Sequence, residues 1–175
     1  MNNRSRHRVA LLVEAASQYY LHGQRIFNAV EPIALAVMLA DQEGEHALLR
    51  RALSIQGLIL AATRNTPDAL HSLLRALDIA EHSADAVGIA AVWGNIATAF
   101  HEATLYSDAR VTFERANAMA LNIEEEAPRL TLQLRALHGI AACALYLHEY
   151  LAGLEACEEA IALIRQWIDS GAPRP

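Results

Sequence analysis

Histidine, cysteine and carboxylate side chains are the groups in this sequence that could bind a metal ion or catalyse a reaction. The chain has 175 residues, with eight histidines, two cysteines and 20 acidic residues. A metal site on one helix needs ligands one turn apart, as in the HExxH pattern. His101 and Glu102 begin such a pattern, and so do His148 and Glu149, but no second histidine follows either pair at the required spacing. We therefore expect no metal site.

Catalytic motifs of fixed spacing are missing from the sequence as well. It contains no GxGxxG or GxxxxGK[ST] phosphate-binding loop and no GxSxG nucleophile elbow. Neither Cys143 nor Cys157 has a histidine at a spacing that suggests a catalytic pair, and both lie in apolar stretches typical of core positions. Runs of glutamate at residues 124–126 and 158–159 are typical of solvated surfaces. We predict no catalytic residue, no cofactor and no enzymatic activity.

The charge and the apolar runs restrict the class of partner. All 14 basic residues are arginine and the formal net charge is −6, which argues against a nucleic-acid partner because phosphate binding needs clustered cations. Glu14 interrupts the first apolar run, and no uncharged apolar stretch reaches the roughly 18 residues of a membrane span. We expect no signal peptide, no membrane contact and a reducing cytoplasm. The abundance of arginine and alanine suggests a bacterial genome.

An internal repeat is the strongest pattern in the sequence. Four small residues, Ser17, Gly57, Ala97 and Ala141, follow one another at spacings of 40, 40 and 44, and similar apolar residues surround each of them. A period of this length is typical of stacked helical units, which form an extended surface rather than an enclosed catalytic pocket. The apolar periodicity predicts an all-α fold with eight helices, over residues 6–22, 26–41, 45–62, 66–82, 85–102, 106–122, 127–146 and 150–168. Short turns within each pair predict antiparallel hairpins.

The third unit identifies the kind of repeat. Its large and small apolar residues are Trp93, Ile96, Ala97, Phe100, Tyr106, Ala109, Phe113 and Ala116. At these offsets the sequence resembles the tetratricopeptide repeat (TPR) family, in the longer, degenerate form attached to bacterial signalling proteins. The resemblance implies an α-solenoid of four antiparallel helix hairpins in a right-handed superhelix. It implies one domain over residues 1–175, with repeats near 6–41, 45–82, 85–122 and 127–168 and a flexible tail at 169–175.

Several residues depart from the family pattern. Gln56 stands where the family prefers an apolar side chain, and Ala144 stands where it prefers an aromatic residue or leucine. Pro32 falls inside the second predicted helix, where the missing amide should kink the axis. The four additional residues of the last spacing are expected in the polar joint at 122–128 or in the helix after it.

The resemblance also implies a binding groove lined by the first helix of each repeat. Carried over by offset, the predicted groove residues are Glu14, Gln18, His22, Ser54, Leu58, Gly94, Thr98, His101, Glu102, His138 and Tyr146. Such a surface suits a peptide or helix of a protein partner. One branch of the family holds a terminal carboxylate with a lysine, asparagine and arginine cluster. Asn95 and Arg135 could be fragments of that clamp, but the chain has no lysine and Glu14 would repel the anion. We therefore expect no binding of acidic chaperone tails.

Three functions remain open from the sequence. The first is a non-catalytic interaction scaffold, which serves as a sensor or adaptor in a bacterial regulatory system. The second is a self-association module. It would form a homodimer and so pair two copies of an attached output domain, such as a diguanylate cyclase. It would use the apolar stripe of the last helix, predicted as Ile161, Ile164, Trp167 and Ile168. The third is a receptor for a short signalling peptide or small molecule.

Overall fold

The computed structural model of this protein describes residues 3–22 and 26–171. All regular structure in these residues is helical, and no strand occurs in them. The chain divides into two compact units, residues 1–83 and 84–175. Gly23, which follows the first predicted helix, and residues 172–175 of the predicted tail lie outside the described residues. The division into four repeats within one domain stays a prediction.

The first unit contains two helix pairs. Its elements are α1 (Asn3–His22), a 3₁₀ helix (Ile26–Ala29), α2 (Val30–Gln42), α3 (His46–Ala62) and α4 (Thr66–His82). α4 begins where the sequence predicts it, with Pro67 in the first turn, where its missing amide costs no helical bond, and Asp68 beside the positive end of the helix dipole. The large side chains that are fully buried here include Val13, Ile33 and Leu53.

The second unit contains the other two pairs. Its elements are α5 (Ala86–Glu102), α6 (Tyr106–Ala120), α7 (Glu126–Tyr146) and α8 (Tyr150–Asp169). Asp85 caps α5, because its carboxylate accepts a hydrogen bond of 2.8 Å from the Gly88 amide. In the core, Ala97 of α5 packs with Ala109 and Phe113 of α6 and Cys143 of α7. The eight predicted α-helices are thus confirmed to within a few residues at their ends.

Turns of three residues join the helices of three pairs, over residues 63–65, 103–105 and 147–149. The middle residue of each turn, Arg64, Thr104 or His148, has a positive φ of 65°, 62° or 61°. The amide that follows bonds back to the helix, as from Asn65 N to Leu60 O at 2.8 Å. This left-handed helix ending is normally occupied by glycine. Here the tight turn is kept although each of the three residues has a side chain.

Small residues let the paired helices approach closely. A Cβ atom on Gly57 of α3 would lie 2.5 Å from Leu73 Cγ of α4, so no larger residue fits there without rearrangement. In the last pair, a Cβ atom on Gly153 of α8 would lie 3.4 Å from the Cβ atom of Ala144. The undersized Ala144 is therefore matched by a glycine on the facing helix.

Gln56 and Pro32 have structural explanations. Gln56 Oε1 accepts a hydrogen bond of 3.1 Å from the buried Ser72 hydroxyl, so a polar pair replaces the apolar contact of the family. The expectation that Pro32 kinks a helix interior is wrong, because α2 begins at Val30 and Pro32 lies in its first turn. An amide has no helical acceptor there, so proline removes no bond. The predicted helix 26–41 is instead divided into a 3₁₀ segment and α2.

The predicted polar joint at 122–128 has a buried apolar anchor. Ile123 is buried with Ala90 of α5 and Ala120 of α6. Its carbonyl oxygen accepts a hydrogen bond of 3.0 Å from the Arg129 guanidinium. The longer joint is therefore fixed to the second unit rather than solvated along its whole length.

Candidate functional site

The predicted groove residues of the first unit differ in how much surface they expose. Glu14, Gln18 and His22 are exposed along α1, and the Gln18 amide donates a hydrogen bond of 2.8 Å to the Glu14 carboxylate. Ser54 and Leu58 of α3 are buried, at 8% and 6% exposure. They therefore have almost no surface to offer a partner, whereas α1 presents a polar one.

Arg135 of α7 and Asn95 of α5 form a polar pair in the second unit. The Arg135 guanidinium donates a hydrogen bond to the side-chain oxygen of Asn95, which is only 5% exposed. A Cβ atom on Gly94 would lie 4.0 Å from the centre of this guanidinium, which is an ordinary contact distance. The two fragments of the carboxylate clamp are thus joined to each other, and the exposed guanidinium carries the positive charge of this surface.

The other predicted groove residues of this unit are on the same two helices. Thr98 is half-buried, and its hydroxyl donates a hydrogen bond of 2.9 Å to the Gly94 carbonyl oxygen of its own helix. His138 is exposed one turn after Arg135 on α7, whereas Gly94 is buried. Glu102 is half-buried at the end of α5. Arg135 and His138 are therefore the polar groups of this set that a partner can reach.

Three rings from α5, α6 and α7 form an aromatic cluster. Tyr106 of α6 and Tyr146 of α7 stack with ring centroids 4.3 Å apart and planes 3° from parallel. The His101 ring meets Tyr106 and Tyr146 edge-on, at 5.3 and 5.6 Å. Tyr146 is 54% exposed, so one face of the stack is open to solvent. Stacked and edge-on rings of this kind offer a rigid apolar contact surface.

His101 carries a buried polar atom in this cluster. Its Nε2 atom has no hydrogen-bond partner among the side chains and backbone that the structure describes. A buried nitrogen without a partner carries a desolvation cost of about 1–3 kcal/mol. A partner group that hydrogen-bonds to it would remove that cost. The repeat offsets place His101 and Tyr146 in the groove and Tyr106 in the core. They do not reveal the contact between Tyr106 and Tyr146, because it spans 40 positions.

Cysteine and histidine chemistry has little support in the structure. Cys143 is buried, and desolvation raises the pKa of its thiol to about 11, although the nearby Arg110 opposes this shift. A thiol in this state is a poor nucleophile and a poor metal ligand. Within residues 3–22 and 26–171, no group of three histidine, cysteine or acidic side chains could hold a metal ion. No helix in the described part of the chain is long and apolar enough to cross a membrane.

Arg110 lines a cavity in the second unit. The cavity has a volume of about 340 Å³ and lies against α6, α7 and α8. The guanidinium lies 3.4 Å from the Glu114 carboxylate and 3.5 Å from that of Glu149. Its Nε atom is buried, and among the described residues it has no hydrogen-bond partner. Both nearby carboxylates neutralise the charge of this arginine.

The residues predicted for self-association lie on two faces of α8. Ile161, Ile164 and Ile168 are exposed, as are Tyr150 and Leu154 nearer the start of the helix. Trp167 is only 9% exposed and lies at a cavity with Leu130 and Gln133 of α7. The exposed apolar face therefore exists, but Trp167 belongs to the packed side of the helix.

This chain is similar to known proteins in its fold. No protein-family model matches the sequence. No curated protein sequence matches it either. Similar solved structures include a Rap protein complexed with competence and sporulation factor, at a TM-score of 0.82 and 18% identity. That match covers 97% of this chain and 46% of the Rap chain, so this chain spans about half the length of the Rap protein.

Two further structures have related folds. BtubC (BKLC) from P. vanneervenii matches with a TM-score of 0.72 and 17% identity, over 95% of this chain and 66% of that chain. The TPR-like repeats of a putative kinesin light chain from Podospora anserina match with a TM-score of 0.60 and 15% identity, over 98% of this chain and 100% of that chain. This chain therefore has the all-helical fold of the TPR-like repeat proteins.

Proposed function

We propose that this chain is a non-catalytic scaffold that binds a peptide or helix of a protein partner. The observation that carries the proposal is the surface of the second unit on which Arg135, His138 and the exposed face of Tyr146 lie along α7. Arginine and tyrosine are enriched among the anchor residues of interfaces. The extended surfaces of stacked helical hairpins suit peptide segments.

The similar fold of the Rap protein supports this proposal, because that protein is complexed with competence and sporulation factor. By analogy, the chain is a sensor or adaptor in a bacterial regulatory system and works in the cytoplasm. A short signalling peptide is a possible partner in this scheme, and so is a small molecule. The net charge of −6 disfavours nucleic acid as the ligand.

A peptide-selection experiment tests the scaffold function. Short random peptides displayed on phage are selected against the whole chain, and an enriched peptide is titrated by fluorescence anisotropy. Arg135→Ala and Tyr146→Ala should each weaken its binding about tenfold or more, because anchor residues of an interface carry most of the binding energy. His71→Ala is the matched control, since His71 is exposed on α4 in the first unit.

Binding by the variants counts only if they are folded. Circular dichroism of each variant checks that the helices are intact. If no peptide is enriched, or if both variants bind the enriched peptide as tightly as the unaltered chain does, the surface on α5 and α7 is not the binding site.

A second candidate function is self-association through α8, and one observation favours it. Large apolar side chains are exposed along nearly the whole length of this helix, from Tyr150 to Ile168. Apolar surface of this extent on a single helix is unusual for a protein that acts alone. In this function the chain would pair two copies of itself and bring together whatever domains are attached.

A further inference from the structure

The exposed face of α8 carries a regular apolar stripe. We define the α8 stripe as Tyr150, Leu154, Cys157, Ile161, Ile164 and Ile168, which are all exposed. Their spacing alternates between four and three residues. This alternation is the heptad pattern that places side chains along the contact line of two paired helices.

The α8 stripe is separate from the surface that packs α8 in its own unit. Ala156 and Trp167 are the buried residues of the helix, and Gly153, Ala160 and Leu163 are half-buried with them. These five residues lie on a different side of the helix from the α8 stripe. Packing of α8 therefore leaves the stripe free to contact another helix.

The order of spacings in the α8 stripe reads the same in both directions. A second α8 that runs antiparallel can therefore match every position of the stripe. Leu154 of one copy lies opposite Ile164 of the other, and Cys157 lies opposite Ile161. The end residues, Tyr150 and Ile168, are matched in the same way. The stripe is complementary to itself, as a two-fold interface between identical chains requires.

Charges beside the α8 stripe distinguish the two possible orientations. Glu158 and Arg165 are exposed along one edge of the stripe, two turns apart, and neither has an ion-pair partner among the described residues. In an antiparallel pair this edge faces the same edge of the second copy, so that Arg165 of each chain approaches Glu158 of the other. In a parallel pair the edge faces Gly153 and Ala160, which carry no charge. Charge complementarity thus favours the antiparallel orientation.

We propose that two copies of this chain pair through the α8 stripe in antiparallel orientation, with reciprocal Glu158–Arg165 ion pairs beside it. The inference rests on the second candidate function, self-association, and adds to it the partner, the orientation and the contacts. It also excludes Trp167 from the interface, because that side chain is packed within its own unit.

The mass of the chain in solution tests whether a pair forms. Light scattering after size exclusion should give twice the mass of one chain, and Ile161→Glu should give a single mass because a carboxylate then lies in the apolar contact. Ala162→Glu is the matched control, since Ala162 is exposed on α8 next to Ile161 but lies outside the stripe and outside the edge of Glu158 and Arg165, and it should stay paired. A single-chain mass for the unaltered protein throughout the micromolar range would overturn self-association and the pairing together.

Disulfide trapping tests the orientation. Cys157→Ser removes the exposed thiol, and Cys143 is buried with a thiol pKa raised to about 11, so it does not interfere. Leu154→Cys and Ile164→Cys are then made separately, with a size tag on one of them, mixed and oxidised. Antiparallel pairing predicts crosslinks mainly between the two different variants. Crosslinks mainly within each variant would show a parallel pair and overturn the proposal while self-association stands.

Charge reversal tests the ion pairs. Glu158→Arg alone and Arg165→Glu alone should each raise the dissociation constant about tenfold, because both reciprocal pairs become repulsive. The double variant should restore the original value. If both single variants pair as tightly as the unaltered chain, the reciprocal contacts are wrong, although the pair itself remains.

Discussion

The α3–α4 hairpin of the first unit and the α7–α8 hairpin of the second are built alike but packed differently. Both have a turn of three residues with a positive φ at the middle residue, Arg64 or His148. Their second helices differ in burial. α4 buries six residues, among them Leu73 and Leu77, whereas α8 buries Ala156 and Trp167 and exposes most of its large apolar side chains. The same hairpin geometry thus occurs with a second helix whose apolar side chains are mostly buried and with one whose apolar side chains are mostly exposed.

Burial of an apolar face is therefore not a property of the hairpin alone. Local signals set the length of the helices, the turn and the close approach of the pair. Whether the outer side of the second helix is covered depends on what lies next to it. The exposed side of α8 is consequently a surface where function can be sought, whereas substitutions on α4 should mainly report on stability.

The largest expected contrast comes from the same truncation on both helices. Leu73→Ala on α4 should lower the free energy of unfolding by about 2–5 kcal/mol, because Leu73 is fully buried against α3 and a cavity remains. Leu151→Ala on α8 should change it by less than about 0.5 kcal/mol, because that side chain is largely in solvent. Urea denaturation followed by circular dichroism measures both. Equal losses would mean that the two helices are packed alike.

Glycine-to-alanine substitutions should give opposite signs in the two hairpins. Gly57→Ala should destabilise the fold by about 1–3 kcal/mol, since its Cβ would lie 2.5 Å from Leu73 Cγ and 3.1 Å from the Ala69 carbonyl oxygen. Gly153→Ala meets only ordinary contacts, the nearest at 3.4 Å, so the better helix propensity of alanine should add up to about 1 kcal/mol. Thermal unfolding decides between these signs. A stabilising Gly57→Ala would show that α3 and α4 are less close than described.

Substitutions in the turns should change the stability less than those in the helices. Arg64→Gly should stabilise the first unit by about 0.5–1 kcal/mol, because glycine accepts a positive φ without steric cost. His148→Gly should gain less, since it also removes the 2.8 Å hydrogen bond between His148 Nδ1 and the Tyr150 hydroxyl. Gly44→Ala, at a φ of 67° after α2, is the reverse control and should destabilise. Denaturation midpoints rank the three variants by stability. An equal gain in stability from Arg64→Gly and His148→Gly would mean that the hydrogen bond to Tyr150 does not stabilise the turn.

The helices and their pairing could be predicted from the sequence because they depend on local periodicity and on small residues at fixed spacing. The candidate site could be predicted only in part. Ser54 and Gly94 were selected by offset, but offsets give the direction of a side chain and not what lies over it. Tyr106 was missed because its stacking partner, Tyr146, is 40 residues away. The buried Ile123 in a charged joint was missed for a similar reason, since its contacts are with other helices.

The smallest expected effect is a pH dependence of the stability of α4. The last turn of α8 has no basic residue, so α8 should lack this dependence. His82 ends α4, and its Nδ1 atom lies 2.8 Å from the Asp78 carbonyl oxygen and 3.2 Å from the Asp78 carboxylate. The hydrogen bond to the carbonyl, and then the charge of the carboxylate, raise the pKa of His82 above its ordinary value of 6.5. Protonation of His82 therefore favours the folded state at low pH, and this contribution is lost as the pH rises through the raised pKa.

An NMR titration of the histidine ring measures this shift directly. The pKa of His82 should lie above 6.5 in the unaltered chain. Asp78→Asn should bring it down partway, because the carboxylate charge is removed while the backbone carbonyl still accepts the hydrogen bond. The same pKa in both proteins would mean that the carboxylate has no part in the shift. A complete return to the ordinary value would mean that the charge, rather than the carbonyl bond, is the larger cause.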